Sequence, residues 1–198
     1  AQAFAFATSD EVNDMTFMNY ELINRGSFTL TNTFFAPWVD PDLGDAEDDY
    51  VGCDVGRGLG YCYNGDAFDG ATGGGPTQYP DNPPAVGIDF FQGPYQDNDG
   101  VDNLGPYTDS TGTLVVPTVS AAIADGGIVY KGIGIGYSDD IIDNERFGMR
   151  KFVYFTRADL APPYGSDPDD ASEYYNYMNG IWKDGADFCY GGTGHPSG

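Results

Sequence analysis

Apolar and polar positions alternate along much of this chain with a period of two, the spacing of a strand with one buried face. The clearest case is Ser27 to Phe35, where Phe28, Leu30 and Phe34 fall on one face and Ser27, Thr29, Thr31 and Thr33 on the other. Thr16 to Ile23 precedes it across the turn Asn24-Arg25-Gly26, so the two read as a hairpin. Ala1 to Phe6 alternates Ala or Gln with Phe and reads as an edge strand, followed by a polar turn over Thr8 to Asp14. Further strands are expected at Leu59 to Tyr63, Ala85 to Gln92, Thr113 to Val119, Gly127 to Tyr137 and Phe147 to Arg157. Between them, Gly73-Gly74-Gly75-Pro76, Asn82-Pro83-Pro84 and Pro162-Pro163 cannot sit inside a sheet. One helix is expected, Ser172 to Trp182, with Asp169 or Asp170 as its cap and Gly185 as its stop. The pattern predicts a mostly β protein: an antiparallel β-sandwich of jelly-roll type, with long Gly-, Pro- and Asp-rich loops and one short helix near the C-terminus. No repeat of 20 to 50 residues is present.

Composition sharpens this picture. The chain has 198 residues, 29 Gly and 13 Pro, enough for one sizeable core with turn-rich connections. A formal charge of −23 excludes nucleic acid and anionic membrane surfaces as partners, since both need a basic face. Acidity of this degree accompanies disorder in chains poor in aromatics, but here aromatics make up 15%. No apolar run approaches a membrane span, so no insertion is expected. The chain begins at Ala1 and carries no leader pattern. It is read as one β-rich module, residues 1–198, either a mature product or an excerpt of a longer chain.

The acidity is clustered. From Asp40 to Asp54 the chain carries seven carboxylates and no Lys or Arg. Packed together without a counter-charge, such groups repel one another. A hard cation removes that cost, because Ca²⁺ accepts six to eight oxygens in loose geometry. Asp40, Asp42, Asp45, Asp48, Asp49 and Asp54 are therefore candidate calcium ligands; the competing reading is a solvated acidic loop. The spacing is not that of an EF-hand, since Gly44 falls where a ligand belongs and Asp45 where the glycine belongs. Two further clusters, Asp97, Asp99 and Asp102, and Asp139 and Asp143, read equally as calcium sites or as solvated turns. Asp167-Pro168-Asp169-Asp170 reads as helix capping rather than metal. Bound Ca²⁺ would act as a stabiliser of loops, not as a catalyst.

Cys53, Cys62 and Cys189 form no C-x-x-C pair, and His195 is the single histidine, which argues against zinc. Cys53 and Cys62 are a disulfide candidate in an oxidising compartment, or two buried thiols. Lys131 to Tyr137 lacks the pattern of a phosphate loop. His195, in a Gly-rich tail with no nucleophile expected beside it, does not read as part of a triad. The many Asp also supply the carboxylate pairs that glycoside hydrolysis requires. The aromatics beside them suit a sugar surface or, more simply, a core.

Several phrases together carry a resemblance. They are Met15-Thr16-Phe17, Asn19-Tyr20-Glu21-Leu22-Ile23-Asn24-Arg25, Phe28-Thr29-Leu30-Thr31-Asn32-Thr33, and Trp38-Val39-Asp40-Pro41-Asp42-Leu43-Gly44. They continue with Asp48-Asp49-Tyr50-Val51-Gly52-Cys53-Asp54 and Gly58-Leu59-Gly60-Tyr61-Cys62-Tyr63-Asn64-Gly65-Asp66. Downstream come Asp89-Phe90-Phe91-Gln92-Gly93-Pro94, Asn144-Glu145-Arg146-Phe147-Gly148-Met149-Arg150 and Tyr174 to Gly185. These resemble a region of very large secreted or cell-surface proteins of Bacteroidota, of the kind exported by the type IX secretion system. The resemblance implies an extracellular location and flanking sequence on both sides. It implies no reaction and does not bear on the metal.

The expectation that results is a calcium-stabilised structural or adhesive module whose partners are other surface proteins, copies of itself, or glycans. The rival is a carbohydrate-binding or glycoside-hydrolysing module, and a weaker third is a segment held by the export machinery. No catalytic residue is assigned.

Overall fold

The computed structural model describes residues 1–31, 33–45, 48–54, 56–70, 78–79, 81–96, 98, 100, 102, 107–108, 114–115, 136, 139–149, 151–156, 163–189 and 193–197. Asp97, Asp99 and nearly all of the expected strand Gly127 to Tyr137 lie outside the described residues. The chain divides into two compact units, Ala1–Phe34 and Phe35–Gly198. The described elements are mostly strands in small antiparallel sheets, with one α-helix.

In the first unit, strand β1 (Gln2–Ala5) pairs with β2 (Thr16–Asn19), so that Phe4 faces Phe17. A single 3-10 turn at Glu11–Asp14 reverses the chain, with Asp10 accepting a hydrogen bond from the Val12 N–H. The rings of Phe4, Phe6 and Phe17 meet at 5.5–5.7 Å and hold the pair together. This corrects the hairpin expected between Thr16–Ile23 and Ser27–Phe35. The Asn24 turn does form, since its side chain accepts from Gly26 N and donates to Phe28 O. The described residues of the Ser27–Phe35 segment, however, lie in no strand. Alternation specifies which face a strand would bury, but supplies no neighbour to pair with.

The second unit holds the sheet β3 (Asp49–Asp54), β4 (Leu59–Asn64) and β5 (Ala85–Asp89), antiparallel in that spatial order. β4 and β5 fall on the segments expected to be strands, but β5 ends at Asp89 and is mostly exposed, where the apolar run Ala85 to Gln92 reads as a buried strand. β3 lies inside the acidic run, which was expected to be loop throughout: its middle, Tyr50-Val51-Gly52-Cys53, is uncharged and rich in β-formers. On the inner face of β4, Gly60, Cys62 and Asn64 are buried, and the Phe152 ring packs directly over Gly60. A short pair, β6 (Tyr107–Thr108) with β7 (Leu114–Val115), completes the ladders.

Among its described residues, the expected strand Phe147–Arg157 forms one isolated bridge, Thr156 with Ser166, while Arg146 just ahead of it bridges Tyr95. Its rings serve a different purpose, packing around α1 (Ala171–Asn179). Phe155 stacks on Tyr177 at 5.3 Å and meets Trp38 at 4.9 Å. Asp170 caps α1 by accepting from Ser172 N and Glu173 N, and Gly180 ends it in the left-handed conformation, five residues before the expected Gly185. Asp169 and Glu173 both face Lys183, so the carboxylates ahead of the helix are capped and paired, as expected of them. Trp182, only 2% exposed, is stacked on Phe188 at 4.0 Å and donates its indole N–H to Gly194 O. Among the described residues, the buried apolar side chains are only Leu43, Cys62, Tyr177 and Trp182.

Candidate metal centre

The acidic run is ordered by its own carboxylates. Gly44, at φ +88°, reverses the chain in a conformation that a side chain disfavours, and a Cβ there would collide with the Asp69 carboxylate. The turn brings Asp45, Asp48 and Asp49 against the loop that follows β4. Asp69, 2% exposed, accepts from Asp45 N at 2.7 Å and Tyr79 N at 2.5 Å. Asp48 Oδ2 accepts from Gly70 N at 2.6 Å, and Asp49 Oδ2 from Leu43 N at 3.3 Å. Asp45 Oδ2 accepts from Gln78 Nε2 at 2.8 Å. Four carboxylates thus share one junction, each taking at least one N–H.

Two oxygens at that junction are left over. Asp48 Oδ1 and Asp49 Oδ1 are buried and have no hydrogen-bond partner. Burial pushes the Asp49 carboxyl above the usual range. The Leu43 N–H opposes this, and the charges of Asp48, Asp69 and Asp45 add to it. Carboxylate oxygens short of donors suit a hard cation in chemistry. In geometry, no three His, Cys, Asp or Glu side chains among the described residues are already gathered closely enough to hold an ion. Glu47, within the same run, lies outside the described residues.

The two middle clusters, treated separately in the sequence, face each other. Gly100 N donates to Asp143 Oδ1 at 2.9 Å and Asp140 N to Asp102 Oδ2 at 2.6 Å, joining residues 43 and 38 positions apart. Asp139 accepts from Ile141 N and from the Asn144 amide. Behind them, Gln96 N donates to Glu145 O and Phe147 N to Pro94 O, while the Arg146 guanidinium sits 3.9 Å above the Tyr95 ring.

Other expected ligands fall elsewhere. Asp40 and Asp42 are exposed ahead of the junction. Asp54 is at the far end of β3, about 16 Å along the strand from Asp49. There it accepts from Arg57 N and pairs with the Arg57 guanidinium at 3.3 Å, closing the β3–β4 turn. Conversely, Asp69 and Gln78 were not singled out from sequence. Asp69-Gly70 carries the signal of a tight turn, but nothing in the sequence says which loop it meets.

Cys53 and Cys62 lie on neighbouring strands, on one face and two positions out of register, and both are free thiols. Burial, then the neighbouring carboxylates Asp54 and Asp49, push both thiols up.

The tail contains an arrangement the sequence reading did not expect. His195 Nε2 is 3.0 Å from Asp184 Oδ2, and Nδ1 is 2.7 Å from Ser197 Oγ. Ser197 N also donates to Nδ1, so Nδ1 is the acceptor and Nε2 carries the proton toward Asp184. The order Ser–His–Asp is that of a triad, but the backbone N–H shares the nitrogen lone pair a base would need. The ring is stacked at 3.7 Å on Tyr164. This is a clasp fastening the tail to the Trp182 cluster.

No protein-family model, curated protein or solved structure matches this chain. No helix among the described residues is long and apolar enough to cross a membrane.

Proposed function

We propose that this chain is a calcium-stabilised structural or adhesive module of a secreted or cell-surface protein, with Ca²⁺ bound at the junction of Asp45, Asp48, Asp49 and Asp69. The observation that carries the proposal is the pair of buried oxygens, Asp48 Oδ1 and Asp49 Oδ1, that no hydrogen-bond donor satisfies. In a chain of charge −23, an ion there would lower repulsion and supply the partner those oxygens need. It would also join the start of β3 to the loop after β4. The role is therefore mechanical: the ion orders connections that few buried apolar groups hold. The sandwich packing expected from the alternating segments belongs to the same proposal, as do a surface location and assembly with other surface proteins or further copies.

Thermal unfolding in calcium and in EDTA tests the reading. Extracellular calcium modules bind at about 10⁻⁴–10⁻³ M. Calcium at a hundredfold excess over Kd adds about 2.7 kcal/mol, or about 5–10 °C in a chain of this size. Asp49→Asn keeps an acceptor for Leu43 N but removes the charge. It should raise the Tm in EDTA and abolish the calcium response. An unchanged Tm on adding calcium to the native chain would end the proposal.

A further inference from the structure

The outer face of β3–β4–β5 is inverted relative to packing logic. On β4, the small or polar residues Gly60, Cys62 and Asn64 point inward and are buried, while Tyr61 and Tyr63 point outward. An antiparallel sheet with one wet face ordinarily places its large rings in the core. Here Tyr50, Tyr61 and Tyr63 remain 58%, 37% and 41% exposed.

The rings lie down rather than project. Tyr61 crosses to β3 and covers Gly52, and a Cβ on Gly52 would fall 2.5 Å from its ring carbon Cζ. Tyr50 likewise lies over Gly65 at the end of β4. Tyr63 sits between them, with ring centres 6.1 Å from Tyr50 and 6.0 Å from Tyr61, and interplanar angles of 31° and 39°. On β5 their neighbours across the ladder are Ala85 and Gly87, which add no bulk. The result is a row of three partly exposed rings, each tilted by 31° or 39° against its neighbour. Asp54 and Asp89 share this face at one end.

We propose that this row is a docking platform for a neutral, extended polysaccharide. Exposed aromatic rings pack against the C–H faces of pyranose rings, a tilt between successive rings follows the twist of a glycan chain, and the ring spacing of 6.0–6.1 Å is close to the length of one sugar residue. Phenol hydroxyls and the two carboxylates at the end of the row offer partners to sugar hydroxyls. The same carboxylates and the overall charge of −23 disfavour nucleic acids, acidic glycans and phospholipid headgroups. A protein partner would anchor on rings that project from the surface, whereas Tyr61 and Tyr50 lie across Gly52 and Gly65. The inference gives the adhesive role a ligand class. It rests on the strand ladder and is independent of the ion.

The test is affinity electrophoresis and calorimetry of the whole chain with hydroxyethylcellulose, mixed-linkage β-glucan, galactomannan and arabinoxylan, with polygalacturonate as the anionic comparison. Each is run in calcium and in EDTA, with the fold checked by circular dichroism, so that loss of the ion and loss of the glycan site are read separately. At least one neutral glycan is expected to bind. Tyr50→Ala with Tyr63→Ala should weaken binding at least about tenfold, while Tyr63→Phe, which keeps the ring, stays within about twofold. Should the double variant fail to fold, acetylation of Tyr50, Tyr61 and Tyr63 by N-acetylimidazole in the native chain gives the answer, since bound glycan must protect them. No binding to any neutral glycan, binding to polygalacturonate alone, binding indifferent to the ring deletions, or absence of protection would each overturn the proposal. So would self-association through these tyrosines without glycan binding.

Discussion

Replacing Asp69 by Ala removes the acceptor on which the acidic junction closes. Its carboxylate takes the N–H of Asp45 at 2.7 Å and that of Tyr79 at 2.5 Å, and is itself 2% exposed. Truncation strands both donors, at about 1–3 kcal/mol each. Part of this is recovered, because the charge that helps raise the Asp49 carboxyl also disappears. A net loss of about 2–4 kcal/mol follows, equivalent to a fall of about 4–16 °C in Tm. Asp69→Asn should fall between the two, since one amide oxygen meets one N–H and its NH₂ opposes the other. The measurements are urea unfolding in EDTA and hydrogen exchange of the Asp45 and Tyr79 amides, whose protection should drop first. A loss below about 0.5 kcal/mol, the level of an ordinary surface substitution, would refute the account of the junction as a hydrogen-bonded clasp. Full rescue by Asn would refute it as well.

Gly44→Ala should cost about 1–3 kcal/mol in urea unfolding, because its backbone lies at φ +88° and the new Cβ meets Asp69. Tyr177, whose hydroxyl donates to Ser166 O, is pushed up to about 12 by burial and by the charges of Glu173, Asp167 and Asp184. An ultraviolet titration should therefore show one tyrosine ionising after the exposed ones, and Tyr177→Phe should remove that late step. At Asp184, burial alone would raise the carboxyl, but the Ala186 N–H and His195 together bring it below the usual range. A depressed acid stabilises the fold above its unfolded value near 3.8 and loses that contribution as pH falls through the folded value. Trp182 fluorescence should report release of the tail below about pH 4, and Asp184→Asn should make that release independent of pH in this range. Asp49 carries the opposite sign: its raised carboxyl favours folding as pH falls toward 4, so Asp49→Asn should flatten that part of the stability curve. Iodoacetamide should label exposed Cys53 and Cys189 well before buried Cys62, and equal rates would contradict the burial of Cys62.

The extent of what the sequence determined differs between elements for physical reasons. β4, β5 and α1 were legible because their signals are local: short apolar runs bounded by turn residues, and an Asp cap followed by Glu173. Ser27–Phe35 has the strongest alternation and forms no strand among its described residues, because a ladder needs a partner that alternation cannot name. The acidic character of the chain was also plain from sequence, together with the cost of packing its carboxylates. Which carboxylates meet was not. Tertiary structure brought Asp69 to Asp45 across 24 residues and Asp143 to Gly100 across 43, while sending Asp54 to the far end of β3. The same holds for the tyrosines: composition counted them, and only the register of β3 on β4 laid Tyr61 across Gly52 on the open face. Residue type sets the chemistry available to a side chain, but long-range pairing decides which groups share it.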